Sequence, residues 1–318
     1  MENNYNSNTA RFHCDVAQIF LIGWPKAGTS SLFNWLAAHP DICGSTKKET
    51  YHFIDDGYPL YKRHGKSFQD DGMEGFQAYF NSNAKIWLEG TTHTVFQDIA
   101  RAYLAKNRSN SQAIAMLREP ARRILSSFQA TKNNFATLDH SLSFNTYVEH
   151  LLTGRMDELA RYFGSRASFY NAQNQLSISD YPDWLTRWQK VLGPDKLHVK
   201  IFDDLVKSPR EFMVKLSEQL KVDPEIYRSY NFEMFNKTLV IRHQTLHLLA
   251  KKLRHLIPAG ALKSKLKMSY LRLQNDDKLR DDPAEGLVRL QTHFAPSVRQ
   301  LEDMLKIDLS IWAHGKAK

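Results

Sequence analysis

Short apolar runs separated by amphipathic stretches set the plan of this chain. Ile19–Ile22 and Ala113–Leu117 are continuous apolar runs, the pattern of parallel strands buried on both faces. Ile86–Leu88 and Leu197–Phe202 are two further short strand candidates. Between the runs, helices are expected over Ser30–Ala38, ended by His39 and Pro40, and over Val95–Ala105. Another is expected from Pro120 to Thr131, where the missing proline N–H costs little at a helix start. Trp184–Val191, Phe212–Leu220 and residues 285–305 are amphipathic, and residues 246–256 carry Leu at helical spacing with Lys and Arg outside. Asp41–Phe53 reads as a loop. Asp55–Gly75, rich in Gly, Asp and Lys, reads as an irregular surface segment, and residues 132–180 read as polar and loop-rich with some helical stretches. Strands alternating with helices predict an α/β fold, a central mainly parallel sheet flanked by helices on both faces. With no internal repeat and no Pro/Ser-rich linker, the expected division is a disordered tail over 1–15 and a single domain over 16–318.

Composition narrows the partners. The 318 residues are 42% hydrophobic, enough for a sizeable core, and 43 Lys+Arg against 34 Asp+Glu leave a formal charge of +9. That excess points to an anionic ligand. It does not point to nucleic acid, because no long Lys/Arg run or repeated aromatic-basic pattern is present. Cys14 and Cys43 make neither a disulfide framework nor a C-x-x-C zinc pair, and fit a reducing compartment. Met1–Ala10 is rich in Asn and lacks an apolar signal core, and no stretch approaches the roughly 20 apolar residues of a membrane span. A cytoplasmic protein with no membrane association is expected.

The first apolar run leads directly into Gly23-Trp-Pro-Lys26-Ala-Gly28-Thr29-Ser30-Ser31. Gly23 and Gly28 bracket a turn with the spacing of a nucleotide-triphosphate loop, and Thr29, Ser30 and Ser31 open a helix. Backbone N–H groups at such a turn point at an anion. A triphosphate loop requires lysine directly after its second glycine; here that residue is Thr29, and the lysine is Lys26, inside the turn. The displacement argues against ordinary kinase or ATPase chemistry. The Ala113–Leu117 run leads into Arg118, Pro120, Arg123 and Ser126. A guanidinium at a strand end can grip a phosphate with two hydrogen bonds. In a parallel sheet ligands bind beyond the carboxyl ends of the strands, so the two segments can share one site and one ligand with two anionic groups.

These residues match a family. Trp24 to Ser30 resembles the 5′-phosphosulfate loop of sulfotransferases that use 3′-phosphoadenosine 5′-phosphosulfate (PAPS), and Leu117 to Ser126 resembles their R-x-P-x-x-R-x-x-S 3′-phosphate motif. Lys48 to Phe53 looks like the K-E-x-x-x-F segment of the glycan-modifying branch. Tyr181 to Trp188 resembles the Y-x-x-x-L-x-x-W helix, and Phe235 through Arg242 the late cofactor-closing loop. The resemblance covers roughly residues 16 to 312.

It implies that Trp24, Lys26, Ala27, Gly28, Thr29 and Ser30 hold the 5′-phosphosulfate, Lys26 stabilising the bridging oxygen as the S–O bond breaks. It implies that Arg118 and Ser126 bind the 3′-phosphate, with Arg242 closing over the same end. Glu49 is the implied base; His52, close by and suited to proton transfer near neutral pH, is the alternative, and His93 a weaker one. No metal is required, since a sulfuryl group bears less charge than a phosphoryl group. The branch's Glu-Lys-Thr-Pro is replaced by Glu89-Gly90-Thr91-Thr92, without its lysine, which argues against glycan recognition. A chain with no membrane span does not look like a Golgi glycan enzyme, and a small-molecule acceptor, a specialised natural product, is expected. A glycan sulfotransferase is one alternative; a P-loop kinase and a non-catalytic polyanion-binding protein are alternatives of another class. Oligomeric state is not legible.

Overall fold

The computed structural model describes residues 14–81, 83–233 and 282–313. They divide into two compact units, one within Met1–Glu119 and Asp180–Asn236, the other within Pro120–Ser179 and Lys237–Lys318.

The first unit holds five strands: β1 (Ala17–Gly23), β2 (Ile42–Gly44), β3 (Ile86–Glu89), β4 (Ser111–Leu117) and β5 (Leu197–Ile201). All pair in parallel in the order β2-β3-β1-β4-β5, so β1 is central. Six consecutive residues of β1, from Gln18 to Gly23, are buried, as a strand covered on both faces requires. On one side Phe20 packs among Phe53, Phe76 and Tyr103, with ring centroids 5.6–6.0 Å away. At the β5 edge, burial beside Lys200 and Lys196 pushes His198 down to about 4. Its neutral ring meets Gln112 Oε1 at 2.8 Å.

The helix Tyr181–Leu192 ties this unit together. Leu185 and Trp188 are fully buried, and the Trp188 indole donates to the Val95 carbonyl at 2.8 Å. The Tyr181 hydroxyl donates to the Arg118 carbonyl at 2.6 Å. The Y-x-x-x-L-x-x-W spacing thus places all three side chains on the inward face of one helix.

Several boundaries differ from expectation. Ile42–Gly44, read as loop, is an edge strand; three residues are too few to show a periodicity. The helix Phe68–Gln77 begins inside the segment read as irregular and runs two residues past it. Its Gly72 and Gly75 mask the pattern, while Ser67 and Asp70 form a capping box at its start. Phe202 opens a short helix, Phe202–Lys207, and does not extend β5. The 246–256 helix and Phe235–Arg242 lie outside the described residues, as does most of the tail.

The second unit is helical, built on Pro120–Gln129, Phe144–Thr153, Met156–Ala160, Arg166–Gln173, Gln175–Ser179 and Ala284–Leu305. Residues 132–180 are therefore more helical than their polarity suggests. Phe128, Phe144, Tyr147, Leu290 and Phe294 lie in its apolar core. Arg123, only 1% exposed, donates to Gln175 Oε1 at 2.6 Å and to Ser179 Oγ, so this motif arginine supports its own unit.

Trp188→Phe keeps the ring packing and leaves the buried Val95 carbonyl without its donor. It should cost about 1–3 kcal/mol, read as a lower urea midpoint with an unchanged denaturant slope.

Candidate active site

The loop after β1 is shaped by two left-handed residues, Lys26 at φ 72° and Gly28 at φ 80°. Glycine accepts that conformation without a Cβ penalty. A Cβ at Gly28 would also lie 2.7 Å from Phe202 Cδ2, so Phe202 presses against the loop from the β5 side. The Trp24 N–H donates to the Met116 carbonyl at 2.9 Å and the Ala27 N–H to the Trp24 carbonyl at 3.2 Å. Both side chains are fully buried. Trp24 and Ala27, expected to hold the cofactor, are thus engaged within the protein and shape the loop. The first-turn amides of the helix Thr29–Ala37 have no acceptor inside the helix, and the positive end of its dipole lies at this loop. Thr29 is buried at this helix start, and Ser30 half-buried beside it.

Arg118 follows β4. Its Nη1 donates to the Lys26 carbonyl at 3.0 Å, and its guanidinium lies over the Phe202 ring, 4.7 Å from the centroid. Burial, and then the Arg118 charge, lower the Lys26 ammonium from its ordinary value. The sheet therefore brings Lys26 and Arg118 together, two like charges that an anion between them would relieve. Ser126 is buried on the helix Pro120–Gln129, in the second unit. Arg242 lies outside the described residues.

A carboxylate occupies the neighbouring strand ends. Glu49 Oε1 lies 3.3 Å from Lys48 Nζ and accepts from the Thr92 hydroxyl at 3.0 Å, while Oε2 accepts from the Tyr51 hydroxyl. Burial opposes charge on Glu49, but the Lys48 ammonium, Tyr51, His93 and Thr92 outweigh it and hold the carboxyl below its ordinary value. Thr92 connects the two centres. Its hydroxyl is on Glu49, and its carbonyl lies 3.1 Å from where a Cβ of Gly23, at the foot of the loop, would stand. His93 is half-buried, its Nδ1 2.8 Å from the Tyr58 hydroxyl.

His52 lies elsewhere. It is 1% exposed, its Nε2 is 2.8 Å from the Gly72 carbonyl, and Phe53, Phe68, Phe76 and Tyr79 surround it. Burial lowers its pKa. These are the features of a core histidine. Glu49 and His52 lie on one short loop and the backbone turns between them, with Tyr51 at φ 53°, a turn that residue types alone do not reveal. Position 90 also has a local reason for glycine. A Cβ there would lie 2.7 Å from the Phe33 ring and 3.1 Å from the Lys48 carbonyl, while Lys48 Nζ donates to the Gly90 carbonyl at 2.9 Å. The parts of the site that the motifs did not mark are Tyr51, Thr92 and Phe202; each acts through a contact that spacing does not encode.

A parallel α/β sheet thus carries a glycine-bracketed loop, a cationic strand end and a carboxylate along one edge. The profile of the sulfotransferase family matches residues 18–225, and the chain belongs to that family. The sulfotransferase from Alicyclobacillus acidocaldarius shares its fold, with a TM-score of 0.60 at 17% identity over 93% of this chain and 98% of that one. The chain is also similar to the sulfotransferase domain from the curacin biosynthetic pathway (TM-score 0.40, 16% identity, 81% of this chain and 99% of that one). A third likeness is to mouse sulfotransferase SULT7A1 complexed with PAP (TM-score 0.39, 13% identity, 81% and 88%). No curated protein matches.

Gly28→Ala puts a methyl group against Phe202 in a left-handed position. It should destabilise the protein by about 1–3 kcal/mol, seen as a lowered melting temperature.

Proposed function

We propose that the protein moves a sulfuryl group from PAPS to a hydroxyl or amine of a small-molecule acceptor, a specialised natural product. The observation that carries this reading is the Lys26–Arg118 pair, two cations joined through the Lys26 carbonyl beside a helix N-terminus. The donor carries its phosphosulfate and its 3′-phosphate as separate anions, and the residues fit both. Thr29, Ser30 and the loop amides receive the phosphosulfate. The family motif assigns the 3′-phosphate to Arg118 and Ser126, with Arg242 over the same end.

Each residue then has one task. Lys26 stabilises the charge that develops on the departing phosphate oxygen as the S–O bond breaks. Glu49 accepts the acceptor's proton while the nucleophilic oxygen or nitrogen attacks sulfur in line. Tyr51, Thr92 and Lys48 hold the carboxylate in place and keep it ionised. No step requires a metal. Glycine at position 90, where the glycan-modifying branch has lysine, supports a small-molecule acceptor over a glycan. The reaction belongs in the cytoplasm, and no helix among the described residues is long and apolar enough to cross a membrane.

Turnover is measured as adenosine 3′,5′-bisphosphate released from PAPS in the presence of candidate acceptors. Lys26→Ala and Arg118→Ala should each lower kcat/KM by about 10²-fold or more; intact turnover in both would refute the assignment. In a melting assay the bisphosphate should stabilise the protein and ATP with magnesium should not. The reverse response would favour a kinase, and stabilisation without turnover a polyanion binder.

Glu49→Gln should lower kcat by about 10²–10⁴-fold. Because the Glu49 carboxyl is held below its ordinary value of 4.5, the base is ionised at neutral pH. A kcat/KM profile that stays level as pH falls from neutrality and declines only below 4.5 is the expected result.

A further inference from the structure

Behind Glu49 lies a second carboxyl that the mechanism does not use. Glu89 ends β3 and is 1% exposed. One oxygen, Oε1, accepts four hydrogen bonds: from the Thr50 N–H at 3.3 Å, the Thr50 hydroxyl at 3.0 Å, the Thr91 N–H at 2.9 Å, and the Thr91 hydroxyl. The other, Oε2, is buried with no hydrogen-bond partner among the described residues. Burial raises the Glu89 pKa, against the donors from Thr91 and Thr50, which favours the neutral acid. A neutral carboxyl can accept these bonds without placing an unpaired charge in the core.

The donors lead outward to the base. The Thr91 hydroxyl donates to Glu89 and accepts from the Tyr51 N–H at 3.1 Å. The Tyr51 hydroxyl reaches Glu49 Oε2. Tyr51 is the residue of this loop most in need of restraint, since its φ of 53° is unfavourable for a bulky side chain. Its two ends are held by different partners, the backbone by Thr91 and the hydroxyl by Glu49. Thr50, tied to Glu89 by its own N–H and hydroxyl, fixes the residue between Glu49 and Tyr51.

We propose that Glu89 is a positioning residue, its buried carboxyl setting the Tyr51–Glu49 pair through Thr50 and Thr91. The role rests on the reading of Glu49 as the base. It assigns distinct work to two carboxyls, one oriented toward chemistry and one toward the loop that carries it. Lys48, His93, Thr92 and Tyr51 are the groups that face Glu49, and Tyr51 is the one that this chain of bonds controls.

The test reads Glu49 without catalysis. Carbon NMR of side-chain-labelled glutamate follows the Glu49 titration in the full protein without cofactor. Tyr51→Phe removes the hydroxyl and should raise the Glu49 pKa by about one unit. Thr91→Val removes only the link and should raise it similarly, and the double variant should add little further. Glu89→Ala removes the acceptor from both threonines and should raise the Glu49 pKa as Thr91→Val does, an unmoved titration in the folded variant refuting the role, while Glu89→Gln keeps a carbonyl oxygen and should restore the wild-type titration. In turnover, Thr91→Val should lower kcat about tenfold with KM for PAPS unchanged. An unmoved titration in folded Thr91→Val, additive shifts in the double variant, or a shift in Glu89→Gln as large as that in Thr91→Val would each overturn the positioning role. If the sulfuryl-transfer reading fails, wild-type turnover is absent while the NMR result still stands or falls by itself.

Discussion

The hydrogen bond from Arg118 to the Lys26 carbonyl joins the segments that follow two adjacent strands, and the arrangement of the site depends on it. It fixes the turn after β1 to the residue after β4. It also brings two cations together in a partly buried place, where their repulsion is not fully screened. The protein tolerates this because the rest of each side chain is well supported. Arg118 lies over the Phe202 ring, and its own carbonyl is held by Tyr181. A framework that rigid can hold like charges in readiness for an anion, so little reorganisation is required when charge develops.

The sheet supplies the second half of the site by the same logic. Because all strands run parallel, their carboxyl ends share one edge, and residues far apart in sequence converge there. Lys26 follows β1, Thr92 follows β3 and Arg118 follows β4. The two carboxyls beside them differ by environment. Around Glu49 an ammonium and hydroxyls lower the carboxyl's pKa, whereas burial raises that of Glu89 against the donors from its threonines. One residue type is thus shifted in opposite directions at two neighbouring places in the fold, decided by burial and neighbours.

The α/β class, β1, β4 and the glycine turn after β1 were legible because each is written locally, as an apolar run followed by glycines or an arginine. The Tyr181–Trp188 helix was legible for the same reason. Other features depend on tertiary contact. Ile42–Gly44 is a strand only because it lies beside β3, and the glycines of Phe68–Gln77 conceal a helix that its capping box begins. His52 and Glu49 look equally suited to proton transfer in a list of residue types, but one left-handed residue between them sends one to the core and the other to the site edge.

The order of the strands has a consequence for the life of the protein in a crowded solution. Every open sheet ends in two rows of unpaired backbone groups, and a long, flat, apolar one invites another chain to pair with it. Here one border is β2, only three residues long. The other is β5, whose alternating His198 and Lys200 interrupt its apolar character, with Lys196 just before it. Brevity guards one border and positive charge the other, so the hydrophobic strands that support the site remain in the middle, where no neighbouring molecule can use them as a template for aggregation.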